Sequence, residues 1–150
     1  MIGFLVFGVL VAVAVGVIPA VVAGNSISAA NAASQVAADA TPVTNAVDSY
    51  SANVKSCNGQ LACVTRLDRN VAATFSTFAA QLRTIPMPSH AVTANDALAT
   101  AVSDAAGSYA KLGAASTASQ YISEASSAGL NQSLNRVNQA YANLGTALGA

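Results

Sequence analysis

Residues 61–88, LACVTRLDRNVAATFSTFAAQLRTIPMP, decide the fold class of this 150-residue chain. Large apolar side chains recur in this stretch every three or four positions, and a spacing of this kind lines one side of an α-helix. Pro86 and Pro88 then stop the helix, because proline lacks a backbone N–H and clashes with the preceding turn. We predict a helix from about Leu61 to Ile85, whose inward-facing side chains are Leu61, Val64, Leu67, Val71, Phe75, Phe78, Leu82 and Ile85.

Three further segments carry the same helical spacing. The first is predicted to begin at Thr41-Pro42, because threonine suits the N-cap and proline the first helical position. Its inward-facing residues are Val43, Val47, Tyr50 and Val54. The next is predicted to begin at Ser89 as N-cap and to end at Leu112, with Gly113 as a C-cap. Its inward-facing residues are Ala91, Ala94, Leu98, Val102, Ala105, Tyr109 and Leu112.

The last predicted helix begins at Ser116 or Thr117, where Thr117-x-x-Gln120 matches a capping box. Residues 126–129 (Ser-Ser-Ala-Gly) interrupt it. Its inward-facing residues are Tyr121, Ile122 and Ala125 before the interruption, and Leu130, Leu134, Val137, Tyr141, Leu144 and Leu148 after it. Short connections between amphipathic helices favour antiparallel neighbours. The sequence therefore predicts an all-α fold with an up-down four-helix bundle over residues 42–150, and no sheet.

The N-terminal residues 1–24 have a different composition, with no charged side chain. As a helix, the apolar run from Ile2 to Val22 is about 31 Å long, and a bilayer core is about 30 Å thick. Two interpretations remain open: a transmembrane anchor, or a signal segment removed on export. A self-associating soluble helix is a third. Residues 25–41, rich in Ala and Ser, are predicted to form a linker or a helical stalk with little packing of its own.

The two cysteines of the chain, Cys57 and Cys63, flank a turn at Asn58-Gly59. Behind an N-terminus typical of exported proteins, such a pair indicates a disulfide. Two buried free thiols are the alternative.

Composition and charge exclude several functions. The chain has 6 Lys+Arg and 6 Asp+Glu, a net charge of zero, and only 8% charged residues. Such a chain lacks the basic surface of a nucleic-acid-binding protein. A di-iron bundle needs several glutamates and Glu-x-x-His pairs, whereas this chain has one Glu and one His, His90. We expect a protein that is not an enzyme and holds no cofactor or metal, with His90 a solvated residue at a helix start.

The remaining polar and aromatic residues are assigned to surface and core. Asp48, Asp68, Asp96, Asp104 and Glu124 are predicted on solvated helix faces, as is the charged cluster at residues 66–69. Tyr50, Tyr109 and Tyr141 fall on the apolar stripes, where tyrosine packs with its hydroxyl at the rim of a core. The alternative is that these tyrosines line a pocket for a small apolar ligand.

From Tyr50 onward, the chain resembles Ala-rich exported helical-bundle proteins of actinobacteria. The matching features are the Cys57…Cys63 turn, the Phe75…Phe78…Leu82 run into residues 85–88, and Tyr141…Leu144…Leu148. The match also includes Tyr121…Gly129-Leu130. The resemblance implies an extracytoplasmic helical domain, and it transfers no catalytic residue.

These observations favour a non-enzymatic, membrane-anchored protein with an extracytoplasmic bundle, attached through residues 2–22. We expect an accessory or interaction subunit of a cell-envelope membrane complex, with a protein partner. One alternative is an exported helical module, secreted after signal cleavage, that binds a small apolar or lipid ligand. Another is a self-assembling structural component.

Overall fold

A computed structural model describes residues 27–126 and 129–149, with side chains from Ala29 onward. This part of the chain contains five α-helices and no strand, so the predicted all-α class is confirmed for it. The helices are α1 (Ile27–Asn53), α2 (Leu61–Leu82), α3 (Val92–Gly113), α4 (Ala118–Ser126) and α5 (Gly129–Ala147), and a 3-10 turn (Val54–Cys57) follows α1. The predicted anchor or signal segment, 1–24, lies outside the described residues. Among the helices that are described, none has the length and apolar character needed to cross a bilayer.

Helices α2 and α3 run antiparallel, as hydrogen bonds at the two ends of this pair show. The Asn95 Nδ2 near the start of α3 donates to the Leu82 carbonyl at the end of α2, at 2.7 Å. At the other end of this pair, the Arg69 guanidinium donates to the Gly113 carbonyl, also at 2.7 Å. The hydroxyl oxygens of Ser108 and Ser133 lie 3.3 Å apart between α3 and α5.

A single apolar core joins α1, α2, α3 and α5, and much of it is alanine. Its largest fully buried apolar side chains are Phe75, Leu82, Leu98, Leu134, Leu144, Val36, Val71 and Val102. Alanine faces let the helix backbones approach closely, but each alanine contributes little buried area. The few large side chains therefore supply most of the burial that stabilises the core.

The predicted start of the first helix at Thr41-Pro42 is wrong, because α1 continues through Pro42 without a break. Pro42 removes one helical hydrogen bond, and its ring lies on the exposed side of the helix. On the opposite side, the small residues of the upstream half pack into the core, including Ala32, Val36 and Ala40. The prediction that residues 25–41 have little packing of their own is therefore wrong from Ala29 onward. Burial along the whole helix outweighs the local signal of proline.

Two other predicted boundaries also differ. The N-cap of α3 is Ala91, without a side-chain cap, where Ser89 was predicted. The last predicted helix is two helices, because α4 ends at Ser126 and α5 begins at Gly129, where the sequence predicts an interruption; the described chain therefore has five helices rather than four. The capping box is half present: the Gln120 N–H donates to the Thr117 hydroxyl at 3.1 Å. The Gln120 side-chain oxygen instead accepts from the Ser116 N–H, at 3.0 Å.

Gly113 allows the end of α3 to lie against α2, whereas the sequence predicts only a C-cap there. A Cβ at Gly113 would lie 2.6 Å from the Arg69 Cγ and 3.3 Å from the Thr65 carbonyl oxygen. Neither atom is the free end of a flexible chain, so the two helices would have to separate. Close approach, and not a left-handed backbone, is what requires glycine at this position.

Gly113→Ala is expected to lower the free energy of unfolding by about 1–2 kcal/mol. Overpacking costs about 1–3 kcal/mol, and the better helix propensity of alanine offsets part of it. Gly107→Ala is the matched control in the same helix, because a Cβ there meets nothing within 4 Å. Chemical denaturation measures both variants, and equal stabilisation of the two would contradict the close-approach argument.

Asn95 is a buried polar residue that the apolar spacing of α3 does not predict. Its amide caps the Leu82 carbonyl, while its own Oδ1 is buried without a partner. Asn95→Ala leaves that carbonyl unpartnered, so we expect a loss of about 1–2 kcal/mol of stability. Asn135→Ala, at an exposed position of α5, should change stability by less than about 0.5 kcal/mol. Equal effects in thermal unfolding would show that the Asn95 bond adds no stability.

Candidate functional site

Asp68 of α2 is fully buried, with 0% of its surface exposed, which corrects the prediction of a solvated face. It lies four residues after Val64 and three before Val71, so the helical spacing itself points its side chain inward. The apolar spacing thus indicates burial of Asp68, but its charge and its position between Arg66 and Arg69 led to the prediction of a surface residue. In the structure, it is a carboxyl group inside the bundle.

Three tyrosines from three other helices surround this carboxyl group: Tyr50 of α1, Tyr109 of α3 and Tyr121 of α4. We call these residues and Asp68 the Asp68 cluster. The hydroxyl oxygens of Tyr50 and Tyr121 lie 3.4 Å apart. The rings of Tyr50 and Tyr109 meet edge to face, with centroids 6.1 Å apart. Phe75 packs beside Tyr109 at 5.8 Å. The cluster therefore joins four helices at one end of the bundle.

The Asp68 carboxyl group has little compensation for its burial. Neither oxygen has a hydrogen-bond partner of ordinary geometry, although the hydroxyls of Tyr121 and Tyr50 lie close enough to favour its ionised form. Burial raises the pKa of Asp68 from 3.8 to about 6, against the smaller opposing effects of these hydroxyls and of Arg69. Burial likewise raises the pKa of Tyr50, Tyr109 and Tyr121, so the tyrosines are neutral at physiological pH.

The outer wall of the cluster is α4, which buries none of its side chains completely. Tyr121 is half-buried, and Ile122 next to it is 49% exposed. A small pocket separates α4 from the start of α2 and is lined by Gly59, Leu61, Val64, Ala118 and Tyr121. It has room for about one water molecule. The packing between α4 and α2 is thus incomplete beside the Asp68 cluster.

The predicted disulfide is present at the same end of the bundle, between Cys57 and Cys63, whose Cα atoms lie 5.5 Å apart. The turn between them places Asn58 and Gly59 at φ 48° and 76°, a left-handed conformation that favours these two residue types. The disulfide links the 3-10 turn that follows α1 to the first turn of α2. It therefore holds the helices that carry Tyr50 and Asp68 together at this end.

The other residues singled out in the sequence lie away from the cluster. His90 is exposed in the turn before α3. Asp48 and Asp96 are exposed, as predicted, and Asp104 forms an exposed 3.4 Å ion pair with Arg136. Tyr141 is half-buried, and its hydroxyl is enclosed without a hydrogen-bond partner.

The Asp68 cluster can bind and release one proton near pH 6, because its single carboxyl group has a raised pKa. In residues 27–126 and 129–149, no three His, Cys, Asp or Glu side chains come together as metal ligands would. Comparison with protein-family models, with curated proteins and with solved structures finds no match to this chain.

Proposed function

We propose that this protein is a helical interaction module of the cell envelope, attached to the membrane through residues 2–22. It acts as an accessory subunit of a membrane complex and catalyses no reaction. The observation that carries the proposal is α4, a short helix on the outside of the bundle that buries none of its side chains.

The exposed face of α4 has the chemistry of a protein contact. Ile122 is 49% exposed and is one of two large apolar side chains that the described surface leaves open. The other, Val92, is 43% exposed and lies at the far end of α3 from α4. Between Ala118 and Ser126, the only charged side chain is Glu124. Such a face fits a neutral, partly apolar partner surface, whose binding depends weakly on ionic strength.

Two observations support the placement outside the cytoplasm. The Cys57–Cys63 disulfide is typical of proteins that fold in an oxidising compartment. The uncharged run at residues 2–22 has the length and composition of a membrane span. Alkylation of thiols in intact cells, before any reductant is added, is expected to leave both cysteines unlabelled. Labelling of both would place the bundle in a reducing compartment.

The interaction itself is tested with C-terminally tagged full-length protein, extracted in mild detergent and analysed by quantitative mass spectrometry. A partner is expected at close to one copy per chain. Ile122→Glu should reduce its recovery at least tenfold, because a charge enters the centre of the contact. Val92→Glu is the matched control and should retain the partner.

Three results would contradict the proposal. Equal recovery from both variants would remove α4 as the contact. Recovery of the protein alone, with retained lipid, would favour the ligand-binding alternative. Recovery only of further copies of the same chain would favour self-assembly.

A further inference from the structure

We propose that α4 is a pH-dependent cover: it closes over the Asp68 cluster when Asp68 is protonated and is released when Asp68 is ionised. The proposal is independent of any partner of the exposed α4 face. It rests on the position of one buried carboxyl group beneath a short helix that buries none of its side chains.

The closed arrangement suits a neutral Asp68 and not an ionised one. The side chain has 0% exposure, and neither oxygen has a hydrogen-bond partner of ordinary geometry. A neutral carboxyl group tolerates such a site at moderate cost, whereas for a carboxylate the nearby hydroxyls of Tyr121 and Tyr50 offset only part of the cost of burial. Ionisation therefore favours any movement that brings water to the group.

The groups facing Asp68 are neutral, and the positive charge of Arg69 offsets only a small part of the cost of burying Asp68. Tyr50 faces it from α1, Tyr109 from α3 and Tyr121 from α4, and burial raises the pKa of all three, which keeps them neutral. The nearby cation is Arg69, on the same helix. Its guanidinium donates to the Gly113 carbonyl at 2.7 Å and is held there.

Helix α4 is the element that moves, because it buries fewer side chains than any other helix around the Asp68 cluster. Helices α2 and α3 each bury many side chains, and α1 contributes several to the core, whereas α4 buries none. Its inward contact with the cluster is the half-buried Tyr121, whose hydroxyl lies 3.4 Å from that of Tyr50 and also close to the Asp68 carboxyl group. The small pocket lined by Val64 and Ala118 shows that α4 is not closely packed against α2.

The pH range of the movement follows from the raised pKa of Asp68, about 6. Below this pH the carboxyl group is protonated and α4 stays closed. As the pH rises through about 6 the group ionises, and α4 moves away so that water reaches it. Released α4 loses its packing against the bundle, and a helix of nine residues is only marginally stable by itself, so its backbone hydrogen bonds open.

The test is hydrogen–deuterium exchange of the full chain in mild detergent at pH 5 and pH 7.5, corrected for the intrinsic pH dependence of exchange. Protection of residues 118–126 is expected to fall at least tenfold at pH 7.5, while that of α3 stays constant. Asp68→Asn, a neutral side chain of the same shape, should keep 118–126 protected at both pH values. Asp104→Asn removes an exposed carboxylate of α3 and should behave as the unaltered chain does.

Three outcomes would overturn the proposal. The first is equal protection of residues 118–126 at both pH values in the unaltered chain. The second is a pH-dependent loss that persists in Asp68→Asn. The third is failure of Asp68→Asn to fold while Asp104→Asn folds. The proposal requires that the closed state accept a neutral side chain at position 68, and this result would contradict it.

Discussion

Asp68→Asn is expected to raise the free energy of unfolding at pH 7, by up to about 3 kcal/mol. The carboxyl group is fully buried without a hydrogen-bond partner of ordinary geometry, and its pKa rises from 3.8 to about 6 on folding. A pKa difference of about two corresponds to about 3 kcal/mol between the two protonation states. Asparagine keeps the shape of the side chain and never ionises. Release of α4 would hydrate the carboxylate, so the full value is an upper limit.

The stabilisation by Asp68→Asn should increase as the pH rises. Below about pH 4, Asp68 is protonated in both the folded and the unfolded chain, and its pKa difference has no effect on stability. Between pH 4 and about 6 the unfolded chain loses the proton while the folded chain retains it, so stability falls as the pH rises. Above about pH 6 both states are ionised, and the loss is complete. The stabilisation by asparagine should therefore grow from pH 4 to pH 6 and then level off.

Urea denaturation at pH 4, 5, 6 and 7 measures this difference. Asp104→Asn is the control, because Asp104 is exposed and its ion pair with Arg136 lies on the surface. Exposed pairs contribute at most about 1 kcal/mol, so this variant should follow the original pH dependence. Destabilisation by Asp68→Asn at pH 7 would show that the cluster favours the carboxylate.

Phe75→Ala is expected to lower the free energy of unfolding by about 3–5 kcal/mol, the range measured for buried phenylalanine. Phe75 of α2 is completely buried, and its ring packs against that of Tyr109 with the centroids 5.8 Å apart. The cost of such a cavity depends on how far its neighbours collapse into it. Much of the surrounding core is alanine, including Ala72, Ala79 and Ala105. Because an alanine side chain has no rotamer that reaches into a void, we place the loss at the upper end of the range.

The control for this variant is Ile122→Ala, which also removes a large apolar side chain but from an exposed position of α4. Its expected effect is below about 0.5 kcal/mol. The two are compared by urea denaturation at pH 5, where α4 is expected to be closed. A loss below about 2 kcal/mol for Phe75→Ala would show that the alanine-rich core relaxes around the cavity.

Asp68→Asn is expected to raise the free energy of unfolding and Phe75→Ala to lower it, although both positions belong to one helix. Asp68 and Phe75 lie two turns apart on the inward side of α2, and both face Tyr109. At Phe75, burial is matched to an apolar side chain. At Asp68, it is imposed on a group that water would solvate better. A buried carboxyl group whose neighbours offset only part of the cost of burial is a local conflict in an otherwise consistent helix, and such conflicts are expected at functional sites.

The sequence by itself determined the helical class, the inward face of α2, the inward residues of α5 and the Cys57–Cys63 disulfide. The helical features depend on local spacing, and a period of three to four residues needs no knowledge of the partner helix. Pro86 and Pro88 likewise end the helix through a local effect on the adjacent backbone. The disulfide was predicted from the pair of cysteines at a turn and from the export-type N-terminus. The apolar run at residues 2–22 is also evident from the sequence alone, and its role as a membrane anchor or signal segment remains a prediction.

Only the tertiary structure decided that α1 extends upstream of Thr41-Pro42, why position 113 is glycine and what surrounds Asp68. Thr41-Pro42 is a good local start signal, but burial of small residues upstream extends the helix through it. Gly113 has helical geometry that any residue adopts, and the nearby Arg69 side chain of α2 is what excludes a Cβ. Asp68 lies at an inward-facing position in the sequence, but its burial depends on tyrosines up to 53 positions away, at Tyr121. Local patterns specify a helix and its face, whereas the surroundings of that face are set by chain segments that meet only in the folded state.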